Sequence, residues 1–544
     1  MSNALQRDLT NLVKRAEAFA ASSPRTWAQR IHLMPPVGWL NDPNGLYQKD
    51  GVFHAYFQYA PFDVAGGVKM WGHSVSRDLL TWDYDGCVLM PDEPFDCHGV
   101  YSGSALVHDG RVTMFYTGNV KLPDADGSYD YISTGREANT IAVDTRDGSQ
   151  FGEKRLLMTN ADYPSGLTCH VRDPKVWRAD APCGRYLMVQ GARRVVASGD
   201  DDLTARESLP VRAQREELFA LIHGERWCSD AGEILVFASD DLVTWRLQNS
   251  VTSPGRFGFM WECPDYFELL PASHDGIGAG VSAEGTGVPA DAAAVKILSA
   301  SPQGLTGEEW EHRNLYQSGY FKVSGEIYGS CELGEFRLWD AGFDFYAPQT
   351  FGAEDGRRIL IGWMGMPDDP TYGNDPTAAE GWQHCLTLPR EITVGEDGVV
   401  RQAPVRELKN LRGMRRTAES ALKLDEVSEA FDIEIDGIDA EFSVTLGGEL
   451  SISWRAERDG TPARLEMRFA HTGRSSSGCG RTARWERLDR VDNVRIVADT
   501  SSVEVFANDG ELAMTTRWYP ARRTCEIAAP NARICSWELV QRVS

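Results

Sequence analysis

"SRDLLTW" (residues 76–82) returns as "SDDLVTW" (residues 239–245), identical at five of seven positions and displaced by 163 residues. Repetition at that distance in a chain rich in short strands points to stacked supersecondary units, here about four units of ~40 residues, the length of one four-stranded propeller blade. Around this pair runs a second echo, in which a proline follows an acid or its stand-in: "NDPNG" at 41, "RDPKV" at 172, "ECPDY" at 262 and "YAPQT" at 346. The prolines at 43, 174, 264 and 348 lie 131, 90 and 84 residues apart, roughly three, two and two units of ~40. With "VYSGSA" (100–105) they make five comparable elements before residue 370, and the expected fold is a five-bladed β-propeller. The plainer alternative is that turn chemistry repeats by chance in any β-rich chain.

The strands agree with that reading. "GVFHAYFQYA" (51–60), "RVTMFYTG" (111–118), "RYLMVQGA" (185–192), "EILVFAS" (233–239) and "RRILIGWMG" (357–365) are runs of β-branched and aromatic residues bounded by Gly, Asp, Asn or Pro. Helical periodicity is confined to residues 4–21, where Leu5, Leu9, Leu12, Val13, Ala16 and Phe19 recur at steps of three and four. Past "LPREITV" (388–394) the composition changes. "VRELKNLRGM" (405–414) reads as a short helical connector, and strands every 8 to 12 residues from 430 to 540 suggest a β-sandwich. The chain is therefore expected to be all-β: an N-terminal helical extension (1–29), a propeller (30–394), a linker (395–414) and a sandwich (415–544). The polar stretch 194–230 reads as an insertion between two blade strands.

A net charge of −24 argues against nucleic acid and against an anionic membrane surface as partners, and favours a small neutral ligand. Eleven cysteines without a CxxC pair or zinc spacing fit reduced thiols. The N-terminus has no apolar core of a secretory signal, and no stretch approaches 18 apolar residues. The expectation is a cytoplasmic protein; no feature demands an oligomer.

"WLNDPNGL" (39–46) carries the order of residues a type I turn prefers, with Asp42 first, Pro43 second and Gly45 last. If the acid-and-proline elements are equivalent inner strands, Asp42, Asp173 and Glu262 face one central pocket. Crowded carboxylates raise one another's pKa, so that one ionised and one protonated group can coexist, as glycosidic cleavage requires. The alternatives at this point are a calcium site or three unrelated turn acids. Trp39, Tyr56, Trp71, Trp82, Tyr101 and Trp261 lie in or beside these elements and offer flat faces to sugar rings. Trp71, next to Gly72, is singled out for ligand contact; Trp82, inside the repeat, is assigned to packing.

"WLNDPNG", "FQY", "WGHSVSRDLLTW", "YSGSA", "RDPKVW", "WECPDYF" and "LTLPRE" occur in the order seen in glycoside hydrolase family 32, and the chain resembles that family's bacterial invertases over about residues 30–540. The resemblance implies a five-bladed propeller with a C-terminal sandwich and retaining hydrolysis of terminal β-fructofuranosides, with no metal or other cofactor. It implies Asp42 as nucleophile, Glu262 as acid/base and Asp173 as transition-state stabiliser. Trp39, Asn41, Gln58, Trp71, Tyr101, Ser102 and Arg172 are the implied substrate-binding residues. Glu262 is expected to owe a raised pKa to ionised Asp42. Arg172 and Asp173, adjacent on a strand, should point to opposite faces unless the strand is twisted or bulged. The implied partner is a sugar, sucrose or short fructans. A sucrose-6-phosphate hydrolase, a fructosyltransferase and a non-catalytic fructan binder are the other readings, the first of which needs a basic patch beside the glucose.

Overall fold

A computed structural model describes residues 3–123, 127, 135–194, 230–253, 257–271, 294–305, 313–367, 369 and 372–540. Five four-stranded antiparallel sheets follow one another in sequence, each led by an inner strand: β1 Gly38–Lys49, β2 Val100–His108, β3 Leu167–Ala181, β4 Met260–Leu269 and β5 Tyr346–Gly352. These strands contact their neighbours in order, and β5 returns to β1, so they ring a common axis. The short strand Trp382–Gln383 pairs in parallel with Gly38 and Trp39 at the edge of the first blade. The apolar runs picked out from sequence are mostly second strands, such as Val52–Ala60, Arg111–Lys121 and Arg358–Met364. Second strands pack on both faces, which is why they read as near-continuous hydrophobic stretches.

The "DLxTW" repeat is a structural repeat. In blades 1 and 3 it forms the turn between third and fourth strands. Asp78 accepts backbone N–H bonds from Leu80 and Thr81 at 2.9 and 2.7 Å, and Asp241 accepts them from Val243 and Thr244 at 2.9 and 2.8 Å. Leu79 and Leu242 take the same left-handed conformation, φ 63° and 62°. The two copies thus lie two blades apart, and the spacings between the four prolines correspond to two, one and one blades. The unit of ~40 residues inferred from sequence is corrected: loops between strands stretch each blade well beyond its four strands.

All five inner strands carry the same irregularity. Pairing with the second strand skips from Leu40 to Pro43, Val100 to Gly103, Arg172 to Lys175, Glu262 to Asp265 and Tyr346 to Gln349, while the partner advances by two. One extra residue is therefore inserted at nearly the same height in every blade, a β-bulge that redirects side chains toward the axis. This corrects the reading of residues 42–45 as a corner. They lie inside β1, and Pro43, lacking an N–H, sits where the ladder is broken. Gly45 (φ 51°) meets a second register shift between Asn44 and Tyr47.

The boundary after the propeller also moves. Val400–Pro404 pairs with Arg390–Val394 as the outermost strand of blade 5, so the propeller runs to Pro404; a Gly395–Gly398 reversal hid this hairpin. The expected helical connector is a 3-10 turn, Arg406–Leu411, and strand Arg412–Leu424 already belongs to the sandwich. There, the long strand Cys525–Leu539 is shared between two layers. Its first residues pair with Phe442–Leu446 and its last with Phe431–Asp436, switching near Asn531 (φ 64°). The sandwich is fastened to the propeller by buried ions: Arg390 meets Glu504 at 2.6 Å and Asp340 at 3.1 Å, and Arg481 meets Asp344 at 2.7 Å. His32 joins this seam, 2.8 Å from Asp499 and 3.0 Å from Glu504.

Helix α1 (Ala4–Ala20), capped by Asn3, packs Val13 and Ala20 inward and leaves Leu5, Leu12 and Phe19 exposed. Its Glu17 accepts hydrogen bonds from the hydroxyls of Tyr59 and Tyr84. Residues 195–229 of the insertion lie outside the described residues. Among the described residues no helix is long and apolar enough to cross a membrane.

Candidate active site

Aligning the inner strands on their acid-and-proline elements, with Tyr101-Ser102-Gly103 as the counterpart in blade 2, gives two levels of side chains around the axis. One holds Asn41, Tyr101, Arg172, Glu262 and Tyr346; the next, one residue on, holds Asp42, Ser102, Asp173, Cys263 and Ala347, while the register skip itself begins one residue earlier in blades 1 and 2 than in blades 3 to 5. Asp42 and Asp173 are equivalent to each other, but Glu262 belongs with Arg172 and Tyr346 on the other level. The three carboxylates converge although they are not three copies of one position.

Asp42 is held from two sides. Ser102 Oγ donates to its Oδ2 at 2.5 Å and Asn41 Nδ2 to its Oδ1 at 3.0 Å, while Trp39 Nε1 fixes Asn41 by donating to Oδ1 at 2.8 Å. Asn44, two residues further, ties the Asp42 carbonyl at 3.2 Å and accepts from the Gly103 N–H at 3.1 Å, locking β1 to β2. Burial pushes the Asp42 carboxyl above its ordinary range; Ser102 and Asn41 pull against that rise, Glu262 adds to it and Lys69 opposes it.

Asp173 is 4% exposed and takes φ 64°, the strained left-handed conformation that turns it to the same side as Arg172. The expectation that a bulge resolves the geometry of these neighbours is met. Asp173 Oδ2 accepts from the Cys263 N–H at 2.9 Å. Burial raises its carboxyl to about 7; Arg172 resists the rise, and Glu262 and Asp42 reinforce it.

Glu262 accepts four hydrogen bonds. Arg172 gives its Nε and Nη2 to Oε1 at 3.0 and 2.6 Å, and Tyr346 Oη and Gln303 Nε2 both reach Oε2 at 2.7 Å. A guanidinium fork already stands where a hard cation would bridge the acids, so this donor set suits proton transfer better than calcium. Burial and neighbouring charge push both Asp42 and Asp173 upward.

Two expected sugar-binding residues sit behind the pocket. Trp71 is 0% exposed, packs between Tyr56 and Tyr116, and spends its indole N–H on the Tyr101 carbonyl at 3.1 Å. Gln58, 2% exposed, donates to the Val100 carbonyl at 3.0 Å. Both face the interior between blades 1 and 2, and the space a Cβ on Gly72 would need is filled by the Phe57 ring. Asn41, Tyr101, Ser102 and Arg172 lie on the two levels, and Trp39 is joined to them through its indole N–H bond to Asn41.

Sequence reasoning missed Gln303, Cys263 and a group of cations. Cys263 Sγ lies 3.6 Å from Asp173 and 3.8 Å from Asp42. Beside Arg172, His170 Nδ1 is 3.0 Å from Nη1, and burial followed by the charges of Arg136, Arg172 and Arg193 holds His170 well below its ordinary range. Further along the inner strands of blades 3, 4 and 5, buried Lys175, Asp265 and Thr350 are tied together, with Lys175 Nζ 3.1 Å from Asp265 and 2.6 Å from the Thr350 carbonyl.

The model of the glycosyl hydrolases family 32 N-terminal domain matches residues 32–201 and 210–404, and that of the family 32 C-terminal domain matches 441–533. The chain belongs to glycosyl hydrolase family 32. It is a glycoside hydrolase. A sucrose-6-phosphate hydrolase from Bacillus subtilis (strain 168) is 35% identical over 541 residues, covering 96% of this chain and 95% of the relative. A raffinose invertase from Escherichia coli is 33% identical over 526 residues, covering 93% and 92%. Among solved structures, a sucrose-6-phosphate hydrolase from Lactobacillus gasseri aligns with a TM-score of 0.75 at 24% identity, over 97% of this chain and 96% of that one. A family 32 β-fructofuranosidase from Bombyx mori aligns with a TM-score of 0.72 at 23% identity, over 98% and 99%. These two establish the fold, propeller and sandwich together.

Proposed function

We propose that this chain is a retaining, exo-acting β-fructofuranosidase that hydrolyses sucrose and short fructo-oligosaccharides. One observation carries the reading: a half-buried carboxylate pinned by Ser102 and Asn41 lies near enough to feel the charge of a carboxylate pinned by Arg172. Asp42 attacks the anomeric carbon of fructose, forming an ester bond as the bond to the glucose oxygen breaks. Glu262 gives that oxygen its proton. Water then attacks the fructosyl ester, Glu262 takes its proton, and Asp42 is freed. Asp173, fixed by the Cys263 N–H, supplies negative charge beside the sugar as positive charge develops on its ring. The names of the curated relatives, a raffinose invertase among them, support a sucrose-type linkage.

Sucrose 6-phosphate is a second reading, favoured by the cations around His170. Arg136, Arg172 and Arg193 all bear on His170 beside Glu262, and positive charge near the acid/base is what a phosphate on the leaving sugar would favour, although Arg172 is paired with Glu262 and Arg193 with Asp230. Initial rates on sucrose, sucrose 6-phosphate, 1-kestose and inulin, with Asp42→Ala as control, test both. Glucose release from sucrose that Asp42→Ala abolishes supports the main reading; full activity in that variant overturns it. A kcat/KM at least about tenfold higher for the phosphorylated sugar, worth about 1.4 kcal/mol in transition-state binding, favours the second reading.

A further inference from the structure

Four of the five inner strands place a polar side chain at the height of Glu262 for which the chemistry above has a use or a neighbour; the fifth offers Tyr346, from the "YAPQT" element that lacks an acid. All four lone-pair sites of Glu262 are filled, which describes the ionised, proton-accepting form of the residue. The reaction also needs the protonated form. Of the four partners, the two Arg172 nitrogens and the Gln303 amide nitrogen only donate. The Tyr346 hydroxyl alone can turn from donor to acceptor without moving a heavy atom. A second acceptor stands ready for its hydrogen: the Ser301 carbonyl, 3.4 Å away.

We propose that Tyr346 is a positioning residue whose hydroxyl rotates between Glu262 Oε2 and the Ser301 carbonyl, holding Glu262 in one place through both of its protonation states. Before substrate binds, Glu262 carries its proton on Oε2 toward Tyr346 Oη, and the hydroxyl hydrogen points to Ser301. The half-buried Gln303 marks the other lone pair of Oε2, the position a leaving oxygen can take from it. As the leaving oxygen takes the place of Gln303, the Oε2 proton turns about its C–O bond from Tyr346 to face it and passes across as the glycosidic bond breaks, while the Tyr346 hydrogen swings back to the Oε2 lone pair that the proton has left. Water activation runs the same exchange in reverse. Oε1, gripped by Arg172, carries no proton at any stage.

The surroundings fit a rotor that is not itself an acid. Tyr346 is 3% exposed, and burial together with Glu262 holds its hydroxyl well above its ordinary range, so it stays protonated at working pH. Its ring is braced by Tyr316 and Trp363. Gln303 is pinned through its backbone by pairing with Met260, by the Phe259 N–H at 2.9 Å and by a bridge to Tyr316. Among the described residues, Arg172, Asp42, Asp173, Cys263 and Tyr346 are charged or titratable groups that interact with Glu262.

The inference rests on Glu262 as the acid/base. The test is the pH profile of kcat and kcat/KM on sucrose for full-length wild type, Tyr346→Phe, Gln303→Leu and Glu262→Gln. Tyr346→Phe should lower the kcat plateau about ten- to a hundredfold and move the basic limb upward by about one pH unit, with KM changed less than about threefold. Gln303→Leu removes a donor that cannot reverse its role, so it should move the basic limb the same way and lower the plateau at least about threefold less than Tyr346→Phe does. A Tyr346→Phe profile that superimposes on wild type, a loss confined to KM, or a moved limb with an intact plateau overturns the rotor. Wild-type activity in Glu262→Gln overturns the acid/base reading instead. If Tyr346→Phe fails to fold, 3-fluorotyrosine at position 346 keeps ring and hydroxyl but donates more strongly; it should move the basic limb downward, and an unmoved limb overturns the proposal.

Discussion

Replacing Asp173 by asparagine should stabilise the folded protein at pH 8 while abolishing turnover. Burial and the neighbouring carboxylates raise Asp173 from 3.8 to about 7, so its ionised form is disfavoured in the fold. The sign follows from linkage: a group raised on folding imposes nothing below its unfolded pKa, and its cost accumulates as pH rises to the folded value. Roughly three pH units at 1.36 kcal/mol each amount to about 4 kcal/mol at pH 8, and about 1.5 kcal/mol already at pH 5. Asparagine keeps an oxygen to accept from the Cys263 N–H and carries no charge beside Asp42 and Glu262. Urea unfolding of wild type and Asp173→Asn at pH 5 and pH 8 reads the effect directly. The advantage of the variant should grow by about 2 to 3 kcal/mol between the two pH values. An advantage that does not change with pH, or a variant less stable than wild type at pH 8, refutes the claim that carboxylate crowding is a standing cost of this site.

The remaining expectations concern the seam, the nucleophile and the repeat. Burial alone pulls His32 down, but Asp499 and Glu504 outweigh it and raise the imidazole to about 9 from 6.5. A raised histidine contributes fully below pH 6.5 and loses that contribution as pH climbs through about 9; the wild-type advantage over His32→Gln in unfolding free energy should shrink by about 3 kcal/mol between pH 6 and pH 10. Ser102→Ala removes the 2.5 Å bond to Asp42 and should lower kcat on sucrose about ten- to a hundredfold, with the unfolding transition little moved. Asp78→Ala and Asp241→Ala each lose two backbone hydrogen bonds in matching turns of different blades. Each should cost about 1 kcal/mol by denaturant unfolding, and the double variant should equal their sum within about 0.5 kcal/mol.

Much of this site was legible because the residues that matter lie beside prolines. A proline inside a strand marks a broken ladder, and a bulge there turns the preceding side chains toward the axis, so Asp42, Asp173 and Glu262 could be picked out from local spelling. Local spelling could not say which of two adjacent positions faces the pocket, and so it treated Glu262 as the equivalent of Asp42. It also passed over Tyr346, whose element had been quoted but contains no acid, and Gln303, which reaches Glu262 from a second strand 41 residues away. Trp71 shows the converse: beside a glycine it read as ligand-facing, yet interblade packing buries it. The period of ~40 misled because loop length, unlike strand length, is not constrained by the sheet. The strand at 400–404 was hidden for the opposite reason, since its alternating burial is too short to stand out without its partner.

The central claim is a double displacement in which Asp42 holds fructose through an ester and Glu262 first gives and then takes a proton. Two displacements at one carbon restore its configuration, and one displacement inverts it. Rapid NMR of the first fructose released from sucrose by the wild-type protein distinguishes them before mutarotation mixes the anomers. The account predicts that β-fructofuranose appears first. Initial release of the α-anomer would contradict it.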